Sequence, residues 1–559
     1  MDTRIKYGDV SNAERRQIET ELGVELIPGT EVMTDVNEIH FVKSRGESGR
    51  VLVPQPTNDA HDPLNWSATW KITTVVMASL YTLIQPATQV SIGPIFTIFI
   101  EEWNITFTQC ANFGGVTVLS LGFINFLWVP LAESFGRRTV FIASLTVILG
   151  ANIWHALASS YHSFLGSSVL EGLGGGPVET LFPMIVSDVI FLSDRGKYVT
   201  LYLTTLFSSL MLSPVISAAM AQTVGWRNFY WMNVGLRGVL IAMAIFLMPE
   251  TKWRRGSSIQ AGALAAKDGV EVLHDENGVD ISHEHKIGMA DRRAIHDPID
   301  EYLGKGRPSK DQFKLWSKPD SLQGLLISLA RDFLITFKVF FFPIVAFGGF
   351  SFSWSASLFG YVNFGQSQLF SQSPYNFSVL QIGFTNFACF VGALVGLATA
   401  GPLSDWIAER STKRNRGIRE PEMRLPALIP YVILAVIGQV ISAVGSQNQW
   451  GWEPIVIVGY FFTGIQVTAI PGITMTYATD CYKPITGQIY LAATVVKNMW
   501  GYGISQYLNN WNASAGYVIP TMFNTTLFVF FNGICAFILW MWGKKVRGWT
   551  RNDAVHRMH

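Results

Sequence analysis

A chain of 559 residues is long enough for three or four soluble domains. Its composition excludes that: 49% of residues are hydrophobic, only 14% are charged and the mean hydropathy is +0.28. The formal net charge of +1 leaves no electrostatic footprint for nucleic acid, and the four scattered cysteines have neither metal-ligand spacing nor a disulfide framework, so no metal or cofactor is expected.

Residues 1–70 read as a polar cytosolic tail with no signal-peptide core, so the first span serves as the membrane signal itself. The tail ends in Asp62-Pro63-Leu64-Asn65-Trp66-Ser67, with Trp66 and Trp70 suited to an interface. Six apolar segments follow, near 72–98, 110–132, 139–158, 163–191, 199–221 and 229–248, which makes 71–248 a six-helix bundle. Residues 249–333 form a polar central loop. Six more segments lie near 334–362, 379–401, 427–445, 454–479, 487–508 and 518–542, a second bundle over 334–542. A basic tail, 543–559, carries Lys544, Lys545, Arg547 and Arg551. The fold class expected is all-α: a membrane protein of twelve transmembrane helices in two pseudo-symmetric six-helix bundles.

Positive charges cluster on alternate connections: Arg137 and Arg138, Arg195 and Lys197, the central loop, the run from Arg410 to Arg424, Lys483 and the C-terminus. Such residues stay in the cytosol, which puts both termini there. The other connections hold Glu101, Glu102, His162 and Arg227 and are otherwise almost uncharged. Asn104, Asn376 and Asn512 head glycosylation sequons on this outer side.

The fourth segment, Ser163 to Phe191, is long enough to cross a bilayer as a helix, yet it carries Glu171, Glu179 and Asp188. A carboxylate at the bilayer centre costs about 2.5–3.5 kcal/mol on insertion scales, so it faces a bundle interior or a watery path. Glu179, near the middle, binds either a proton or a cationic substrate, and competition between them couples the two fluxes. Glu171 lies about two turns away, close enough to share the cavity. Arg237 and Lys497 are further intramembrane charges, and either is a partner for either acid. Asn498 is a hydrogen-bonding neighbour. Gln85 and Gln89 are four apart and share a helix face. Trp354, Tyr361 and Asn363 offer aromatic and amide groups in segment seven. The glycine-rich stretch Gly172 to Pro177 follows no strand and lacks a lysine, so it is a packing surface. His283 and His285 read as a solvated loop.

The halves echo each other. Pro130-Leu131-Ala132-Glu133 after segment two matches Pro402-Leu403-Ser404-Asp405 after segment eight, with Glu409 and Arg410 close behind. The stretch Gly172 to Asp188 matches Gly464 to Asp480 with the same spacing. Twelve spans arranged as two sixes imply transport. The turn Pro130 to Arg138, with Glu133, Gly136, Arg137 and Arg138, resembles the loop signature of the major facilitator superfamily, which implies a charge cluster locking helix ends and joined by Asp188. Ser209-x-x-x-Ser213-Pro214-x-x-Ser217-Ala218 is similar to that superfamily's antiporter signature, with small residues for glycines. Gly225 to Tyr230, Pro249-Glu250-Thr251, Asn65-Trp66-Ser67 and Gly304 to Ser309 resemble fungal twelve-span drug:proton antiporters, nearest the polyamine, histidinol and cation permease branch. That family's Arg-x-x-Gln-Gly is here Ser168-Val169-Leu170-Glu171-Gly172, so a relay through the missing arginine does not transfer.

The resemblance implies a monomeric secondary transporter in the plasma membrane, with the vacuolar membrane as alternative. It would move a small organic cation in proton-coupled efflux. The alternatives are proton-coupled uptake of polyamine-like cations or, from another class, a non-transporting sensor. No enzymatic constellation is present.

Overall fold

The computed structural model describes residues 31–32, 56–57, 59–253, 302–314, 322–415, 418–482 and 486–550; His283 and His285 lie outside them. Among these residues, helices follow each of the twelve apolar segments. Nine are long and apolar enough to cross a membrane by themselves. They are span 1 (Ala68–Trp103), span 2 (Phe107–Phe135), span 3 (Arg137–Leu157), span 5 (Leu201–Thr223, within Leu192–Thr223), span 6 (Trp226–Leu247), span 8 (Val379–Arg414), span 9 (Pro421–Gln447), span 10 (Pro454–Cys481) and span 12 (Val518–Trp549). Span 7 (Pro343–Phe370) qualifies together with Phe333–Phe340, from which it is bent by 87°. Span 11 (Thr486–Ala515) has the length but is rich in Asn, Gln and Ser.

Span 4 corrects an expectation. It is two helices, Tyr161–Gly175 and Leu181–Val189, separated by a 3-10 turn over Gly176–Glu179. Pro177 lacks the N–H an α-helix needs, and three glycines before it lower the cost of leaving the helix. Glu179 therefore sits at a break. Span 1 is broken too: its helix stops at Ile84, and Gln85–Thr88 and Gly93–Ile95 are 3-10 turns around Pro86 and Pro94. Gln85 and Gln89 thus do not share a regular helical face.

Spans 1–6 and 7–12 form the two halves. Polar side chains such as Gln85, Asn125, Arg237, Asn363 and Gln466 are buried, while Ile72, Val239, Phe246 and Ile429 are exposed. That inversion is what a lipid solvent selects. Among the described residues, the segment before span 1 and the ends of spans 2, 4 and 6 are joined by direct contacts, as are the ends of spans 8, 10 and 12; this side of the bundle is here called the terminal face. A two-stranded pair, Glu31–Val32 with Ile418–Arg419, adds the only strands among the described residues to an otherwise helical chain. The last helix runs to Trp549, so Lys544, Lys545 and Arg547 belong to it.

The segment before span 1 is tied to the end of the central loop. Ser67 N donates to Gly306 O (2.8 Å), Gly306 N to Asn65 O (2.9 Å) and Gln312 Nε2 to His61 O (3.1 Å). A Cβ on Gly306 would lie 2.2 Å from Ala60 O, so only glycine fits there. Glu250 N donates to Gln312 O (2.8 Å), and the Phe313 ring meets Trp70 at 5.9 Å. The loop's end is thereby fastened to the first half.

Candidate functional site

Away from the terminal face the two halves are joined by a set of hydrogen bonds. Thr108 Oγ1 donates to Asn510 Oδ1 (2.7 Å), Gln506 Nε2 to Asn112 Oδ1 (2.6 Å) and Asn509 Nδ2 to Phe107 O (3.2 Å). Asn363 Nδ2 donates to Val90 O (3.2 Å) and Ser367 Oγ to Gly93 O (2.8 Å). Glycines and small residues permit this approach: a Cβ on Gly115 would meet Ser505 Oγ at 1.9 Å, and one on Gly383 would meet Ala218 Cβ at 2.5 Å. The small-residue stretch around Pro214 is therefore a contact between halves, packing span 5 on span 8. Asn363 belongs to this seal.

Below the seal an ion pair joins membrane spans of opposite halves. Lys497 of span 11 donates to Glu179 Oε1 at the break of span 4, and both side chains are 14% exposed. The ammonium also lies 5.0 Å from the centre of the Phe352 ring, within cation–π range. The second oxygen, Glu179 Oε2, is buried without a hydrogen-bond partner. Tyr202 OH donates to the Glu179 carbonyl (3.3 Å) and helps fix the break. Asn498, next to Lys497, is buried against Gly122 of span 2. Trp354 packs on Trp500 with centroids 4.3 Å apart and is only 5% exposed, so it supports span 11 from behind.

The other two charges meet through a shared hydroxyl within the first half. Glu171 Oε1 accepts from Thr88 Oγ1, and Arg237 donates to the same hydroxyl (3.1 Å). Arg237 also donates to Asn233 Oδ1 (3.1 Å) and the carbonyls of Ile84 (3.1 Å) and Gln85 (3.0 Å). Between the two acids, Gln85 Nε2 donates to Gly174 O (3.1 Å) and the Gln89 amide lies against Gly175. Thr88 and His155, both buried here, do not stand out in the sequence; a histidine inside an apolar segment is the available signal.

At the terminal face the signature turn forms a charge cluster. Gly136, at φ 101, turns the chain from span 2 into span 3. Glu250, just beyond span 6, accepts from the backbone N–H of Arg137 (2.9 Å), Arg138 (3.1 Å) and Lys252 (2.8 Å). Burial pushes the Glu250 carboxyl up from its usual range, while these N–H donors and Arg137 pull it back. Arg137 Nε pairs with Asp188 Oδ2 at 2.9 Å, joining spans 3 and 4. Arg138 is buried and donates to Ile245 O (2.7 Å). Glu133 is half-buried one turn before Gly136.

The second half has a counterpart. Arg424, at the start of span 9, pairs with Asp405 Oδ1 (2.7 Å) and Asp480 Oδ2 (2.9 Å). Glu409 and Arg410 take no part: Glu409 pairs with Lys413 in solvent and Arg410 lies over Trp406. Arg547 at the end of span 12 is fully buried and bonds Glu422 through Nε (2.8 Å) and Nη2 (2.9 Å), and Glu420 as well. The sequon at Asn512 is also corrected. Its side chain is buried in span 11, accepting from Tyr361 OH (2.8 Å), whereas Asn104 and Asn376 are exposed.

The family model described as Major Facilitator Superfamily matches residues 78–505. The chain belongs to the Major Facilitator Superfamily. It is 25% identical to an uncharacterized MFS-type transporter of Schizosaccharomyces pombe, over 94% of each chain. It is 26% identical to Protein HOL1 of Saccharomyces cerevisiae, over 90% of this chain and 91% of that one. Among solved structures it resembles the xylose transporter XylE from E. coli in a partially occluded inward open form, at a TM-score of 0.53 and 11% identity, over 84% of this chain and 99% of the other. That likeness shows the fold: an all-helical bundle in two halves.

Proposed function

We propose that this superfamily member moves a small organic cation by alternating access, coupled to protons, in the direction of efflux. One observation carries the reading: Glu179, at the broken centre of span 4, holds Lys497 of the opposite half. A lysine ammonium bound to a carboxylate and an aromatic face stands in for a cationic cargo. When cargo takes the lysine's place, this ion pair between the halves is released, and the halves are free to rock. A sealed face opposite the terminal face, with the 14%-exposed pair beneath it, fits a site reached from the terminal side. The positive charges of the connections support a cytosolic placement of that side, and the plasma membrane is the location this reading favours. The antiporter-like stretch of span 5, packed against span 8 at Gly383, favours exchange over uptake. Proton-coupled uptake is the second reading; there proton and cargo are carried together in one direction instead of being exchanged.

The test is flux into inverted and right-side-out vesicles, with and without a proton gradient, for a panel of organic cations. Glu179→Gln should reach the membrane and lose at least about tenfold in gradient-driven flux, equivalent to about 1.4 kcal/mol. Normal pH-dependent flux in that variant removes Glu179 from the mechanism, and no flux by the wild-type chain for any cation favours a sensor.

A further inference from the structure

We propose that the coupling proton is held by Glu171 together with His155, at a site separate from the cargo pair, and that it controls the seal between the halves. The proposal rests on the transport reading above. Glu171 is 2% exposed and His155 1% exposed. His155 Nε2 lies 3.9 Å from Glu171 Oε2 and 3.3 Å from Ser168 Oγ. The imidazole is held rigidly, stacked on Tyr230 (4.9 Å, 12°) with the edge of Phe164 at 4.4 Å. The groups facing Glu171 can be named element by element. Thr88 comes from the break after the first helix of span 1, His155 from span 3, and Tyr230 and Arg237 from span 6. Span 2 presents the Thr117 backbone and the Ser120 side chain beside Gly172 and no charge. Tyr81 of span 1 faces Arg237 and is bonded to Ser144 (2.9 Å).

The contrast with Glu179 decides the assignment. Glu179 already grips a cation. Glu171 meets a hydroxyl and an imidazole, and the Arg237 guanidinium is occupied by Asn233, Thr88 and two backbone carbonyls. A fully buried carboxylate without a cation in contact is strongly disfavoured, and a proton removes that penalty. The sealed conformation is therefore the proton-loaded one.

Loss of the proton puts a negative charge beside Thr88. Arg237 is then drawn toward Glu171 and away from the carbonyls of Ile84 and Gln85, which it holds at 3.1 and 3.0 Å. Those carbonyls begin the broken stretch of span 1 that also carries Val90 and Gly93, the acceptors of Asn363 and Ser367 across the seal. Deprotonation thus loosens the seal from the first half alone, without touching Lys497. The proton moves between solvent and the Glu171–His155 pair, and no other bond changes.

The seal can be read without cargo. Asn104 and Ala513 are exposed on the sealed face, one on each half. Spin labels at Asn104→Cys and Ala513→Cys, with Cys535→Ser, report their separation in the full-length protein across pH. The short distance should dominate at low pH and give way to a longer one as pH rises, the population ratio changing by up to about tenfold per pH unit for one proton. Glu171→Gln should keep the short distance at every pH. His155→Gln should move the midpoint and retain the transition, which covers a Glu171 variant that fails to fold. A pH-independent distance in the wild type overturns the proposal, as does a wild-type response in Glu171→Gln or an unmoved midpoint in His155→Gln. None of these outcomes bears on cation flux through the Glu179 pair, so the two readings fail separately.

Discussion

The two terminal-face clusters occupy matching places in the repeat and use opposite charges. In the first half, the end of span 6 supplies an acid, Glu250, and the start of span 3 supplies N–H donors and Arg137. In the second half, the end of span 12 supplies a base, Arg547, and the start of span 9 supplies Glu420 and Glu422. The bases that open spans 3 and 9 nonetheless do the same thing. Arg137 reaches the acid ending span 4, and Arg424 reaches the acid ending span 10. The repeat has kept which helix ends are joined and let the chemistry of joining drift. A hydrogen-bonded cap holds one half and a buried ion pair holds the other, so the halves should respond differently to the same perturbation.

The largest effect is expected at Arg547. Arg547→Met leaves Glu420 and Glu422 without their main counter-charge, a loss of about 3–5 kcal/mol seen as a lower unfolding temperature in detergent. Pairing it with Glu422→Met should recover most of that loss, because apolar replacements of both partners are often neutral. If the double variant is as unstable as the single, the pair is not what secures span 12. An intermediate effect is expected at Arg424. Arg424→Ala releases Asp405 and Asp480 together, and turnover should fall about tenfold, or 1.4 kcal/mol, while equilibrium cation binding stays within about twofold. A fall in binding as deep as the fall in turnover would place Arg424 in the cargo site. Glu409→Ala should do nothing measurable to unfolding temperature or flux, because its partner Lys413 is exposed, as is Glu409 itself. A transport defect there would bring Glu409 back into the second half's echo of the signature turn.

Hydropathy placed the helical segments because apolar length is a one-dimensional property. It did not show the breaks in spans 1 and 4, since averaging over about 20 residues hides a single proline turn. The repeat located Asp405 and Asp480, but their partner Arg424 read only as one of several loop cations. Glu171, Glu179, Arg237 and Lys497 stood out as charges in apolar surroundings, yet which acid meets which base depends on the crossing of spans 4, 6 and 11. Trp354 and Asn363 looked like cargo ligands because type alone cannot tell a cavity wall from a helix contact. Thr88 and His155 are ordinary residues until the fold brings them to one carboxylate.

The fastening of Gly306 and Gln312 to Asn65, His61 and Glu250 changes what the central loop connects. Lys252 and Gln312, on either side of residues 254–301, are both moored on the first half. The covalent bridge between the halves is the short run from Lys314 to Leu322. A protease cut or an inserted reporter domain anywhere in 254–301 should leave the moving parts with the same tether, and two separately expressed fragments divided there carry their own docking point.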